Sequence, residues 1–405
     1  MIIAEELFRA ALHLTAPWNI SSIKFEEGER KLDIWVDFPK GSRFCCPECN
    51  HLDCEVHDTT TRSWRHLDFF EHQTFLHGRV PRINCPNCGV RQVKVPWARE
   101  RSGFTVLMDA LIVFLAQTMQ ISQISEKLNI KDKRIWRVIS HYVAQALSEA
   151  DFSQITSVGL DETSRRKGHQ YITVFADIDT GRIIHICKGK DASALNSFSE
   201  TLEKHNSNPE RINDFCCDMS PAFIKGIKEQ FPLASIIFDK FHVMKMVNEA
   251  VDEVRRIEQM FNRVLKNTRY LWLKNPSSLT KKQLKELGSL KDMNLQTVRA
   301  YNLKLSLQLF WKMEDIESAE AYFKKWYFWA THCKIPAMIK IAKTLKNHWD
   351  GIISYFKDRF SNGLLEGLNS MIQALKANAR GYRNDENFMV MIYLRHGQLK
   401  LNLPT

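Results

Sequence analysis

The spacing of apolar residues changes several times along the chain, and each change predicts a different kind of structure. Residues 1–100 hold short runs suited to strands, at 20–25 and 31–38, set among prolines, paired cysteines and basic side chains. From 103 to 150 the apolar positions take helical spacing. Residues 104–120 suit one helix with Thr105 as its cap, 121–128 a short second one, and 133–147 a third after a tight turn at 130–132. Residues 155–239 alternate: strand patterns at 155–160, 171–177 and 182–187, a helix at 192–205, a strand at 212–217, a helix at 221–231 and a strand at 234–238. The first of these strands ends on Asp161 and Glu162, the fourth on Asp218 and the fifth on Asp239. Residues 240–400 are almost wholly helical in pattern and rich in Trp, Lys and Leu. Trp272, Trp311, Trp326, Trp329 and Trp349 recur there at helical spacing, which favours a core over a stacking surface. No internal repeat or low-complexity tract interrupts the series.

Three hairpin-linked strands followed by helix, strand, helix, strand is the order of a ribonuclease-H-like α/β fold. By analogy with that fold, one carboxylate belongs on the first strand, a second at the end of the fourth, and a third on a helix after the fifth. Asp161 and Asp218 take the first two places, with Asp239 the rival for the second. The residues after Asp239 resemble an all-helical insertion, so the third acid is sought beyond them. Glu366, in the segment 361–370 that restarts a helix, is the best candidate, and Lys376, Arg380 and Arg383 follow on either side of the break at Gly381. The residue types fit phosphodiester chemistry. Two divalent ions roughly 3.5–4 Å apart activate the attacking oxygen and stabilise the leaving one. Hard ions such as Mg2+ or Mn2+ take oxygen ligands and keep some waters. Taken singly, an Asp at a strand end is an ordinary turn residue and a Glu on a helix is ordinarily solvated. Their joint placement on one strand order carries the expectation.

Composition adds a metal and a polyanion. Ten cysteines stand in a chain whose first residues, MIIAEELFRAALHL, place Glu5 and Glu6 where a secretion signal carries positive charge. Those thiols therefore read as metal ligands or buried groups, not disulfides, and the compartment as the cytoplasm. Cys46-Pro-Glu-Cys49 and Cys85-Pro-Asn-Cys88-Gly89 form two knuckles that together complete a tetrahedral, closed and hence structural zinc site. Pro after the first Cys in both pairs Cys46 with Cys49 over Cys45, while His51, Cys54 and His57 stay open as rival ligands. The 35 residues between the knuckles leave room for an inserted hairpin around 64–82. The 57 Lys and Arg against 46 Asp and Glu give +11, a surplus that favours nucleic acid or another anionic surface. It gathers at Arg62, Arg65, Arg79, Arg82, Arg91, Lys94, Arg99 and Arg101, and again at Lys131, Lys133, Arg134 and Arg137 near the start of the third helix. Short helix, turn and basic helix is the helix-turn-helix layout. The longest apolar stretch, 104–119, contains Asp109 and Gln117 and falls short of the about 20 apolar residues a membrane span needs.

These features resemble the DDE transposases of bacterial insertion sequences in the ISL-three group, over nearly the whole length. The shared stretches are the two knuckles, Trp64-Arg65-His66-Leu67-Asp68, Val95-Pro96-Trp97-Ala98-Arg99, Gly159-Leu160-Asp161-Glu162, Asp239-Lys240-Phe241-His242-Val243, Val254-Arg255-Arg256, the segment running from Ser361-Asn362 to Glu366-Gly367-Leu368-Asn369, and Gly381-Tyr382-Arg383-Asn384. The resemblance implies a multidomain α+β protein: a zinc-binding domain at 1–100, a helix-turn-helix domain at 101–150, a ribonuclease-H-like catalytic domain at 151–239 resuming at 356–405, and a helical insertion at 240–355. It also implies cutting and joining of double-stranded DNA at terminal inverted repeats and at a target. Acting on two ends in concert points to a homodimer on DNA. Two other readings stay open from sequence: a DNA-binding regulator with an inert catalytic domain, and a nuclease that does not join.

Overall fold

The computed structural model describes residues 4–166, 170–189, 191–358 and 363–403, in two compact units, 1–147 with 400–405 and 148–399. In the first unit, α1 (Ala4–Ala11) precedes β1 (Asn19–Glu26), β2 (Lys31–Asp37), β3 (Arg43–Phe44), β4 (Cys54–Arg65), β5 (Gln73–Cys85) and β6 (Gly89–Gln92). The sheet order is β1-β2-β5-β4-β3, with β6 also on β5. The stretch between the knuckles is the β4–β5 hairpin, paired from Glu55–Asn84 to Arg65–Phe75, longer than the hairpin that the sequence suggests. Trp18, Trp64 and Trp97 meet edge to face beneath it, with centroids 4.9 and 5.5 Å apart.

Three helices follow: α2 (Val106–Ala116), α3 (Ile121–Leu128) and α4 (Asp132–Ser148). Thr105 caps α2 by accepting from the Met108 N–H at 3.3 Å, as its position before an apolar run requires. Asn129 ends α3 in the left-handed region at φ 52°, which an Asn tolerates, and α4 starts three residues later. Met108, Ile112, Ile124, Ile135, Val138 and Ile139 form their buried faces.

The second unit begins with β7 (Ser157–Arg166), β8 (Gln170–Asp177), β9 (Ile183–Lys188), α5 (Ser193–Lys204), β10 (Asp214–Cys217), α6 (Pro221–Gln230) and β11 (Ser235–Phe238). The sheet runs β11-β10-β7-β8-β9, with β10 parallel to both neighbours and the β7–β8–β9 pairs antiparallel. Phe175 stacks on Phe198 at 4.5 Å and Phe215 meets Phe231 edge to face at 4.7 Å, fixing the sheet against the helices of its own unit. β7 does not end on Asp161 and Glu162 as its apolar run suggests. It continues to Arg166, because pairing with β8 holds the backbone after the apolar run ends.

The chain then becomes helical: α7 (Lys240–Gln259), α8 (Arg269–Leu273), α9 (Lys281–Lys291), α10 (Gln296–Phe310), α11 (Ile316–His332), α12 (Pro336–Asn347), α13 (Trp349–Ile353), α14 (Tyr355–Asp358), α15 (Gly363–Asn378) and α16 (Asp385–His396). Trp272 and Trp326 are fully buried, and Trp311 and Trp349 pack against the same core, but Trp329 is 50% exposed on α11. Among the described residues, no helix is long and apolar enough to cross a membrane.

Candidate active site and metal centre

Parallel register builds the acidic site. β10 pairs Cys216 with Gly159 of β7 and Cys217 with Phe238 of β11. Carrying both registers on to Asp218 sets it level with Asp161 on one side and Asp239 on the other. Asp218 accepts the Ser220 N–H at 3.0 Å, and Asp239 caps α7 through the Phe241 N–H at 2.6 Å. His242, in the first turn of α7, lies with Nδ1 3.3 Å from an Asp239 carboxylate oxygen. That contact, with the charges of Asp161 and Asp218, raises the His242 pKa against its burial. The Asp161 carboxyl is itself pushed up, first by burial and further by Asp218 and Asp239, while His242 opposes. Four side chains from three strands and one helix thus act on a single volume, and the gathered negative charge is the setting a hard cation relieves.

α15 lies along β7. Leu365 packs on Gly159, where an ideal Cβ would fall 2.5 Å from a Leu365 methyl. Asn369 donates through Nδ2 to Asp161 and accepts from Thr163 Oγ1 at 2.7 Å, and Lys376 donates to the Ser164 carbonyl at 2.6 Å. Asn369 is the positioning residue that the sequence shows only as part of a motif. Its one signal is its place three residues after Glu366, one turn along the same helix. Glu366 itself is exposed, about 60° around the helix from Asn369. The structure therefore brings Asp161, Asp218, Asp239 and His242 together and leaves Glu366 exposed on the helix whose Asn369 touches Asp161. Ser361 and Asn362, which open the Glu366 segment, lie outside the described residues.

The cysteines are closer set. β5 ends at Cys85 and turns through Cys88 into Gly89 (φ 72°) of β6, a conformation that glycine adopts without strain. The first knuckle follows β3, its turn closed by Asn50 N–H donating to the Cys46 carbonyl at 3.0 Å. Sulfur atoms of Cys46, Cys49, Cys85 and Cys88 all fall within 4.8 Å of one another, with Cys49 and Cys85 3.5 Å apart. Tetrahedral zinc with Zn–S near 2.3 Å requires sulfur separations of about 3.8 Å, so the quartet fits. Burial opposes ionisation of Cys85, yet the amides of Cys88 and Asn87 bring it down to about 6. Cys88 is pushed up to about 12, chiefly through its contact with Cys49. Four thiols this close ionise together only around a cation. Among the described residues this is the one set of three or more His, Cys, Asp or Glu whose ligand atoms converge so tightly, and His51, Cys54 and His57 are not part of it.

The basic residues singled out from sequence divide by surroundings. Arg65 is 5% exposed, ion-paired with Asp68 and donating to the carbonyls of His66 (2.7 Å) and Thr74 (3.2 Å). It holds the fold, since its backbone also joins Gly103 and Thr105 at 3.0 and 3.1 Å. Arg82 is paired with Asp58, Arg79 with Asp37 and Arg91 with Glu48. Arg62 lines a groove with Lys94, Arg99 and Arg101. On α4 and just before it, Lys131, Lys133, Arg134 and Arg137 are all exposed, and Arg134 also lies over the Phe104 ring and donates to the Gly103 carbonyl at 3.1 Å. Arg380 and Arg383 are exposed near the end of α15.

A cysteine quartet, a three-helix element with exposed cations, and a mixed sheet gathering three aspartates define a metal-linked, DNA-binding class of protein. Comparison with known proteins narrows this. The transposase family model matches residues 158–392, that of the helix-turn-helix domain of transposase family ISL3 matches 93–143, and that of the zinc finger of transposases IS204/IS1001/IS1096/IS1165 matches 42–95. The transposase for insertion sequence element IS1557 of Mycobacterium tuberculosis is 28% identical, over 98% of this chain and 97% of that protein. The transposase for insertion sequence element IS1001 of Bordetella parapertussis is 27% identical, over 91% of this chain and 92% of that protein. The chain belongs to the ISL3 family of DDE transposases, and its function is that of a DNA-binding transposase.

Proposed function

We propose that this protein cuts at the terminal inverted repeats of its insertion sequence and joins the freed ends to target DNA. The observation that carries the proposal is the convergence of Asp161, Asp218, Asp239 and His242 at neighbouring strand ends. The unit around them is a ribonuclease-H-like domain over 151–239, resumed at 356–405 and interrupted by a helical insertion at 240–355. The zinc-binding domain covers 1–100 and the helix-turn-helix 101–150.

Asp161, Asp218 and Glu366 form the catalytic set. Asp218 is preferred over Asp239 because the latter is already committed to capping α7 and pairing with His242. When bound at these oxygens, Mg2+ or Mn2+ supplies charge neutralisation and an acidified attacking oxygen. Asn369 holds the Asp161 carboxylate in one orientation, and His242 offers a cationic donor to the scissile phosphate. In cleavage, an oxygen–phosphorus bond forms to water as the P–O3′ bond breaks, freeing a 3′-hydroxyl. In joining, that hydroxyl attacks a target phosphodiester and a target 3′-hydroxyl leaves.

DNA contacts are assigned to the exposed Lys131, Lys133, Arg137, Arg380 and Arg383 and the half-buried Arg62, with Lys376, which donates to the Ser164 carbonyl, beside them. Arg65, Arg82 and Arg134, although basic, serve the fold first. Zinc in the cysteine quartet is structural, and the active assembly on DNA is a homodimer.

Incubating purified protein with a duplex carrying the terminal repeat and Mg2+ or Mn2+ tests the function. Nicked and joined products are expected, with Asp218→Asn far more damaging than Asp239→Asn to the chemical step. Binding without any cutting would instead identify a regulator. Nicking that never leads to joining would identify a nuclease. Metal analysis should return about one zinc per chain, lost in Cys88→Ser; a zinc-free folded protein would refute the structural ion.

A further inference from the structure

Beyond His242, α7 carries a stripe that the cleavage chemistry does not use. Phe241, Lys245, Asn248, Asp252 and Arg256 recur at intervals of three or four residues and so share one face. That face lines an open groove of about 800 Å³ within the second unit, with Arg269 of α8 on its other wall. Asp252 organises the groove. It is buried, accepts from Arg255 Nε at 2.8 Å, and has its other oxygen 3.6 Å from Arg256 Nε and 3.5 Å from Arg269 Nε. Arg255 is buried and spent on Asp252 and Gln259. Arg256 and Arg269 keep 66% and 56% of their side chains exposed, so Asp252 orients them while leaving their donors to the groove. One carboxylate against three guanidiniums leaves this wall cationic, and Lys245 offsets Glu249 along the rim. The Asn248 amide oxygen is buried there without a hydrogen-bond partner, and the Phe241 ring is exposed at the end nearest Asp239.

We infer that this groove is a subsite for the phosphate backbone of the DNA strand running away from the cut. Guanidiniums held in place by a buried carboxylate present their donors in the fixed fork that phosphate oxygens match, which freely moving surface lysines do not. Arg256 and Arg269 each take a phosphate, Lys245 takes one closer to the cut, and Phe241 offers its face to a base. From His242 to Arg256 the helix rises about 21 Å, or roughly six base steps at 3.4 Å each. The subsite thus reads the backbone within about six steps of the scissile bond. This rests on Asp161 marking the reacting centre, and the test separates the two ideas.

The full chain and a terminal-repeat duplex serve, with affinity measured across salt and phosphate ethylation used to map contacts. The double variant Arg256→Gln, Arg269→Gln should lower the slope of log affinity against log salt by about 1.8, since each phosphate contact contributes about 0.9. It should also erase ethylation interference within about six steps of the cut. Should that variant fold poorly in a thermal melt, Lys245→Gln, on an exposed side chain, should lower the slope by about 0.9. An unchanged slope and unchanged interference would overturn the subsite, whatever happened to cleavage. Continued cutting by Asp161→Asn would overturn the catalytic centre while leaving the salt result to judge the groove.

Discussion

At the scale of single residues, several motifs that the sequence offers as DNA contacts are fastenings. Trp64 to Asp68 joins the end of β4 to the start of α2: the Arg65 backbone bonds Gly103 and Thr105 while its guanidinium reaches the Thr74 carbonyl of β5, and His66 Nδ1 meets Thr105 Oγ1 at 2.9 Å. Burial, with the Arg65 charge, brings the His66 pKa down to about 4, so it stays neutral. Arg99, from the Val95 to Arg99 motif, donates to Asp109 of α2 at 2.7 Å. The charge of these residues is legible in sequence; their burial is not, because it depends on strands and helices distant in the chain. Asp109 allows a direct check. Burial pushes its carboxyl up to about 6 despite Arg99. The folded state then holds the proton more tightly than the unfolded chain, so this stabilisation is complete below about pH 4 and is lost as pH rises through 6. Asp109→Asn keeps the shape and cannot ionise. In urea unfolding of the full chain, wild type should gain on the variant by up to about 3 kcal/mol between pH 7 and pH 4. Parallel pH profiles would show that Asp109 does not titrate with folding.

At the scale of elements, apolar period locates the strands and helices between 104 and 238, because each must present one face to a core, but gives 240–400 only as helical without separating its helices. It misplaced the end of β7, where pairing and not burial continues the strand, and it did not reveal that α15 lies on β7. The residue that permits this packing is Gly159, in Gly159-Leu160-Asp161-Glu162. A methyl group there forces Leu365 and its helix away, drawing Asn369 off Asp161. Gly159→Ala should therefore cost about 1–3 kcal/mol of stability and depress cleavage more than DNA binding. Adding Leu365→Ala opens space for the methyl group, so the double variant should recover part of both losses. If the single variant matched wild type in stability and cleavage, the close approach of α15 would not be what holds the site. The proposed third carboxylate is harder to read for a related reason: more than a hundred residues separate Glu366 from Asp239, so no local spacing ties it to the sheet.

At the scale of the whole molecule, the basic surplus pointed to a polyanion and the cysteine knuckles to zinc. Three family matches now cover residues 42–95, 93–143 and 158–392 in that order. What charge and composition left open was where a reacting strand is held, because grooves such as the one along α7 arise from tertiary packing of α7 and α8. Asp161 lies beside Asp218, Asp239, His242 and Asn369, so the proposed reaction turns on its carboxylate. The direct measurement is cleavage and joining of a terminal-repeat duplex by Asp161→Asn, with DNA affinity measured on the same preparation. Both products should fall by at least about a hundredfold, in line with losing a metal-positioning ligand, while affinity stays within about twofold of wild type. Cleavage at the wild-type rate in that variant would contradict the assignment of this site.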